Sequence, residues 1–370
     1  AHRVAKVIKG GKHQGGQLNP KLLNHDSIFA HLLPLLLDDH EISEYLSQPR
    51  PYQSQPSLDG KHSDNGLGES VGGPNVTCRE VKNFANTPAR MLGKLLNVWD
   101  ANTPYDVIMV GGVEQDTVQQ SLVPAFGVRM RASTAAVPRD EWQRLDGGVY
   151  MVGHSAVYSP KDSQVYIFGG AVNGRKVSNQ FVSYDVASGD WKNPVQATGE
   201  PPWARTLHSS ALFDSPKGPI VIIHGGLGAN DEPLNDMFAF FVNESKWSRI
   251  NSKGRSPPGR CGHSMHVWQQ RQLVVFGGMD QKECKNDVFI LDIRKQNWRR
   301  INTKGKSPPS RAEFSAELVD NLLVVVGGRD QPGSGAIMYN DGIWILDLRT
   351  KTWTNYPNQA PLPLGRAAMT

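Results

Sequence analysis

A diglycine closing a short apolar run recurs five times along the chain, and that recurrence limits the possible folds more than any other feature. The runs "DVIMVGG", "VYIFGG", "IVIIHGG", "LVVFGG" and "LVVVGG" end at Gly112, Gly170, Gly226, Gly278 and Gly328, in steps of 58, 56, 52 and 50 residues. A period of that size belongs to architectures whose units cannot bury an apolar face alone, so neighbours must stack. A tryptophan follows each pair, at Trp142, Trp191, Trp247, Trp298 and Trp353, and a second apolar run stands between ("FVSYDV", "MFAFFV", "VFILDI", "IWILDL").

Each component has a physical role. Runs such as "LVVF" are apolar at consecutive positions, as a strand covered on both faces must be. Glycine permits positive φ and lets neighbouring backbone approach closely where a side chain would block it. The tryptophan offers a large area for packing between units. Four short strand-like runs with turns between them fill each unit, and no helix-length periodic segment interrupts them.

Upstream of the runs, small-residue or proline turns lead to an arginine: "PARMLG" at Arg90, "PWARTLHSS" at Arg205, "PGRCGHS" at Arg260, "PSRAEFS" at Arg311 and "LGRAAMT" at Arg366. The second repeat keeps His154-Ser155 but has Met151 where the arginine would stand.

These features, in this order, resemble the kelch repeat. The resemblance covers about residues 88 to 370 and implies an all-β fold, a kelch-type β-propeller with one four-stranded blade per repeat. Five full repeats run from Arg90 to about Tyr356, and "PLPLGRAAMT" then opens a sixth. An unpaired inner strand is an open edge, which propellers avoid. The expectation is therefore a six-bladed ring, closed by pairing residues 365–370 with residues 67–84, so that the propeller spans 67–370 and residues 67–87 complete the last blade.

Residues 1–66 stand apart as a basic arm, short helices and a linker. Arg3, Lys6, Lys9, Lys12 and Lys21 contribute +5 before the first acid, Asp26, and account for the whole net charge of +5, leaving a formally neutral body. Such an arm suits phosphate or acidic protein surface. "DSIFAHLLPLLLDDHEISEYL" reads as two short helices with Asp26 as an N-cap and Pro49 as a stop, a partly helical N-terminal extension. "SQPRPYQSQPSLDGKHSDNGLG" is a polar, proline-bearing linker. "RVAKVIKGGK" (3–12) is also similar to the opening of the bacterial-type ribosomal protein S5, with "HQGGQLNP" where the apolar strand of that family would follow.

The remaining motifs point to structure rather than chemistry. His224-Gly225-Gly226-Leu227-Gly228 resembles the oxyanion-hole glycines of esterases, but no GxSxG elbow supplies a nucleophile. Gly305-Lys306-Ser307 ends like a phosphate loop, yet Arg300 stands where the first glycine belongs; it reads as an inter-blade turn equivalent to "SKGRSPPGR". His31, Asp38, Asp39 and His40 lack the paired spacing of a metal set. Cys78, Cys261 and Cys284 give neither a zinc pattern nor an even disulfide framework, which points to a reducing, intracellular compartment, cytoplasmic or mitochondrial. The longest apolar block, Ile28 to Leu37, is far shorter than the ~20 residues of a membrane span.

The kelch resemblance implies one binding constellation. In kelch domains that capture acidic peptides, the arginine opening the innermost strand faces the channel mouth, and by motif position Arg90, Arg205, Arg260, Arg311 and Arg366 would ring it. A competing reading gives each guanidinium to turn carbonyls within or between blades. No catalytic set and no cofactor are implied. The expected function is a non-enzymatic interaction scaffold or adaptor whose partners are proteins with acidic segments. One alternative is a subunit of a large ribonucleoprotein assembly, such as a mitochondrial ribosome, with the arm contacting RNA. The other is a metal-dependent propeller enzyme.

Overall fold

The computed structural model describes residues 90–356, with breaks at 92–93, 99–103, 106, 112, 116–119, 123–124, 129–141, 149, 173–175, 331–337 and 340–341. Within that span the chain forms a succession of antiparallel sheets, four of them four-stranded and one five-stranded. Each is a blade. Blade 1 comprises Lys94–Asn97, Val107–Val110, Ala125–Val128 and Trp142–Leu145. Blade 2 comprises Ser155–Ser159, Gln164–Phe168, Phe181–Asp185 and Trp191–Lys192. Blade 3 comprises Ser209–Ser215, Gly218–His224, Met237–Phe241 and Lys246–Arg249.

Blade 4 comprises Ser264–Trp268, Gln272–Phe276, Val288–Asp292 and Asn297–Ile301, with Lys253–Gly254 added in parallel along its outer strand. Blade 5 comprises Ser315–Val319, Leu322–Val326, Ile343–Asp347 and Thr352–Tyr356. A short 3-10 turn at Val242–Glu244 interrupts the strands, so the fold is the all-β propeller expected. The proposed sixth blade, its closure through residues 365–370 and 67–84, the helices and the arm all lie outside the described residues.

Successive blades are stitched by the chain that leaves one and enters the next. Thr198 bridges in parallel to Lys246, Lys253 pairs with Asn297, and Lys304 bridges to Thr352, so each departing segment lies along the outer strand of the following blade. Gly305-Lys306-Ser307 belongs to such a segment, as its register implied. The core sits between blades rather than within them. One cluster joins Val274, Phe276 and Ile290 of blade 4 to Leu323, Val325, Leu346 and Trp353 of blade 5; another joins Phe168 and Phe181 of blade 2 to Ile223, Phe240 and Trp247 of blade 3.

The residue before each diglycine explains why the glycines are there. Phe168, His224 and Phe276 each meet the tryptophan of the following blade, at centroid distances of 5.5 Å (Trp247), 5.7 Å (Trp298) and 5.1 Å (Trp353). The same three rings meet, edge to face, a ring at the start of that following blade: His208 at 5.5 Å, His263 at 5.1 Å and Phe314 at 5.3 Å. The glycines make room for this second ring. At Gly225 (φ +64) a Cβ would lie 2.9 Å from His263 Cε1 and 2.8 Å from the Arg260 carbonyl, and at Gly226 (φ +99) it would lie 2.6 Å from His208 Cβ. A side chain at Gly225 would push blade 4 away, and one at Gly226 would displace the entry to the inner strand of its own blade.

Candidate functional site

The second strand of each blade ends at its diglycine, antiparallel to an inner strand that begins there, so the turn entering the inner strand and the loop leaving the second share one face. Short ladders tie the two together. Arg205–Thr206 pairs with Leu227–Gly228, and Cys261 and Ala312 bridge to Met279 and Arg329.

The repeated arginines lie beneath this face. Arg205, Arg260 and Arg311 are 0%, 1% and 0% exposed, among the largest fully buried side chains of the protein. Arg205 Nε donates to the Trp203 carbonyl (3.0 Å) and Nη1 to the Gly225 carbonyl (2.9 Å), while Nη1 and Nη2 grip Asp236 at 2.5 and 2.9 Å. Arg260 repeats the set on Pro258 (3.2 Å), Gly277 (2.8 Å) and Asp287 (2.7 and 3.4 Å). Each guanidinium also lies over the ring one residue into the third strand pair, Phe238 at 5.7 Å and Phe289 at 5.2 Å.

Arg311 keeps the carbonyl bonds, to Pro309 (3.2 Å) and Gly327 (2.8 Å), but its Nη2 has no hydrogen-bond partner among the described residues. Gly342 stands at the register of Asp236 and Asp287. Burial draws Arg311 down to about 10, against the opposing charge of Asp330.

For three of the five arginines, this burial runs against the expectation of an arginine-ringed mouth. Arg205 and Arg260 satisfy turn carbonyls and the part-buried carboxylates of Asp236 and Asp287, Arg311 satisfies turn carbonyls, and none of the three has surface left for an acidic partner. Arg90 lies in a short strand paired to Val113–Gln115, and Arg366 lies outside the described residues, as do Arg3, Lys6, Lys9, Lys12 and Lys21. The aspartates were missed, although the sequence carried a signal: "ND" precedes the third strand in the repeats of Arg205 and Arg260, whereas Gln180 takes that place in the repeat that has Met151.

What the paired turns hold outward is aromatic. Trp203 is 75% exposed and Tyr150 42%, the exposed large hydrophobic residues among those described. Trp203 precedes Arg205 by two residues and Tyr150 precedes Met151 by one, so the register places them on equivalent turns of neighbouring blades 3 and 2. The Arg205 bond to the Trp203 carbonyl fixes the backbone beneath the exposed indole.

Between adjacent blades, polar groups meet in pairs. Ser155 Oγ lies 2.8 Å from His208 Nε2, and His224 Nδ1 lies 3.1 Å from His263 Nε2. Burial holds His154 and His224 down at about 3 and His266 at about 4, and keeps His208 and His263 well below the usual imidazole range. These rings are neutral. Among the described residues no group of three or more His, Cys, Asp or Glu is placed to hold a metal, and Cys261 and Cys284 are buried, the Cys261 thiol pushed up to about 12 by burial. No helix among the described residues is long and apolar enough to cross a membrane.

A family model described as the KLHDC2/KLHL20/DRC7 Kelch-repeats domain matches residues 106–328 and 215–370. Kelch domain-containing protein 3 of Rattus norvegicus is 32% identical over 239 residues, which are 60% of this chain and 61% of that protein; the match thus spans less than two thirds of the relative. The Homo sapiens protein of the same name gives the same figures. Acyl-CoA-binding domain-containing protein 5 of Arabidopsis thaliana is 27% identical over 206 residues, 55% of this chain and 30% of that protein. In these proteins a similar stretch occupies very different fractions of the whole.

Proposed function

Because the chain belongs to the kelch-repeat family, we propose that it is a non-enzymatic protein-interaction scaffold that holds its partner on the face where the diglycines end. The carrying observation is the exposure of Trp203 and Tyr150 on equivalent turns of adjacent blades. An indole left in water on a backbone pinned by a buried ion pair is a preorganised anchor, since little conformational entropy is lost when a partner covers it. In this reading the arginines serve recognition indirectly, as positioning residues that set the turn.

The acidic-segment partner rested on exposed guanidinium groups, and the burial of Arg205, Arg260 and Arg311 takes away that support at three of the five positions. The ribonucleoprotein alternative rested on the arm, and no described residue or relative favours it; the metal-enzyme alternative likewise finds no favouring observation.

The test is affinity purification from native cells, followed by binding of the purified partner to the protein and to Trp203→Ala. Truncating such an anchor costs at least about 2 kcal/mol, a roughly thirtyfold weakening. Unchanged affinity with a normal melting curve would remove this face from recognition. Salt-dependent RNA binding that disappears on deleting residues 1–21 would instead favour the ribonucleoprotein reading.

A further inference from the structure

The body of the chain is neutral only in sum. Residues 246–306 hold fourteen Lys or Arg against four Asp or Glu, and the rest of residues 22–370 is acidic by the same margin. All four acids of that stretch are already taken: Arg260 holds Asp287, Arg271 holds Asp292, and Lys285 holds both Asp280 and Glu283. The other eleven cations are exposed and make no ion pair among the described residues.

The repeat decides where most of them stand. The segment that leaves one blade for the next carries Thr198-Gly199-Glu200 along the outer strand of blade 3, Lys253-Gly254-Arg255 along that of blade 4 and Lys304-Gly305-Lys306 along that of blade 5. These triplets share one geometry. The central glycine has φ of +78, +79 and +75, and a Cβ on it would strike the carbonyl of Trp247, Trp298 or Trp353. Two residues after each triplet a proline is buried, Pro202, Pro257 or Pro308. In blade 4 the backbone N–H of Lys253 donates to the Gln296 carbonyl (2.7 Å) and that of Arg255 to the Trp298 carbonyl (3.2 Å); in blade 5 Lys304 donates to Lys351 (2.7 Å) and accepts from Trp353 (3.0 Å). One rigid frame therefore presents a hydroxyl and an acid on blade 3 but two cations on each of blades 4 and 5. Arg299 and Arg300, exposed on the outer strand of blade 4 beside Arg255, widen the cationic edge.

A lysine on an edge strand discourages pairing with another sheet, but one charge serves that end, and blade 3 has none at Thr198. A single nucleic-acid strand needs aromatic platforms among the cations. The exposed large hydrophobic residues, Trp203 and Tyr150, stand instead on the turns of blades 3 and 2. An anionic membrane meets a plane, whereas Arg299 and Arg300, successive on a strand, leave its opposite faces. An apolar anchor with a separate charged flank is the anatomy of a protein interface, in which the charge sets orientation and speeds encounter.

Resting on the reading of the protein as an interaction scaffold, we propose that the outer edge of blades 4 and 5 receives an acidic segment of the protein partner, on Lys253, Arg255, Arg299, Arg300, Lys304 and Lys306. Glu200, in the same frame on blade 3, repels a partner laid the other way round, so the charge difference between blades fixes the direction of docking.

The experiment is fluorescence anisotropy of the full chain with a labelled peptide of alternating Glu and Ser, and with its Gln and Ser counterpart. Only the Glu peptide should bind, and more weakly as ionic strength rises. The combined reversal Lys253→Glu, Arg255→Glu, Lys304→Glu and Lys306→Glu should weaken binding about tenfold or more; the basic arm is present in both proteins, so the difference belongs to the edge. If that variant melts early, Gln at the same four positions replaces it, with an expected loss of about threefold. Trp203→Ala should leave the peptide affinity unchanged, which separates a failure of this edge from a failure of the aromatic anchor. No binding, equal binding of the two peptides, or unchanged affinity in the charge variants would overturn the proposal. Tighter binding of duplex RNA or of phosphatidylserine vesicles than of the Glu peptide, lost in the same variants, would overturn it in favour of a nucleic acid or a membrane surface.

Discussion

Blades 4 and 5 carry the same repeat with two substitutions in kind. Blade 4 begins with His263 and clamps Arg260 on Asp287; blade 5 begins with Phe314 and leaves Arg311 with carbonyls alone. Both rings pack edge to face on the preceding blade, at 5.1 Å on His224 and 5.3 Å on Phe276. The ring position therefore requires an aromatic shape, not an imidazole. The arginine position requires its two carbonyl bonds, and the carboxylate is an addition that blade 5 does without at Gly342.

The largest effect expected from this comparison is acid sensitivity centred on the histidine blades. His154, His224 and His266 are neutral in the fold down to about 3 or 4, while in the unfolded chain they take up protons near 6.5. Their contribution is thus complete above the unfolded value and is lost as pH falls from about 6.5 toward the folded values, at up to about 1.4 kcal/mol per pH unit for each ring. Urea midpoints measured from pH 7 to pH 5 should fall steadily. His263→Phe, which copies blade 5, loses the bond to His224 but should give a shallower slope. An unchanged slope would mean that the imidazoles are not what separates the two blades.

Next in size is the ion pair. Asp287→Ala leaves the Arg260 guanidinium buried beside a void, a loss of about 3 to 5 kcal/mol in a denaturant titration. Blade 5 tolerates an arginine without that acid only with its affinity for protons already reduced. A loss under about 1 kcal/mol would place Arg260 and Arg311 in the same class.

The smallest effect is expected at Arg311 itself. Arg311→Met copies Met151 of blade 2 and removes two hydrogen bonds to carbonyls but no carboxylate contact, so a cost of about 2 kcal/mol follows, less than that of Arg260→Met, which strands Asp287. Equal losses from the two substitutions would erase the distinction between the blades.

The fold was legible because its requirements are local and repeated. An apolar run, a diglycine and a tryptophan at a fixed period state both the strand and the place where the next blade must press against it, and the five sheets fall on those runs. The arginine turns were legible as turns, but the direction of the guanidinium was not. That direction depends on an aspartate 31 residues on in blade 3 and 27 in blade 4, which only sheet pairing brings within reach.

By itself, then, the sequence determined the repeat, the all-β class and the residues that pack between blades, since strand burial and glycine sterics act within a few positions of the chain. Only the tertiary structure decided that Arg205, Arg260 and Arg311 are buried and that Trp203 faces water. Those outcomes follow from electrostatics and desolvation among groups far apart in the chain, and no local pattern encodes which of them will meet.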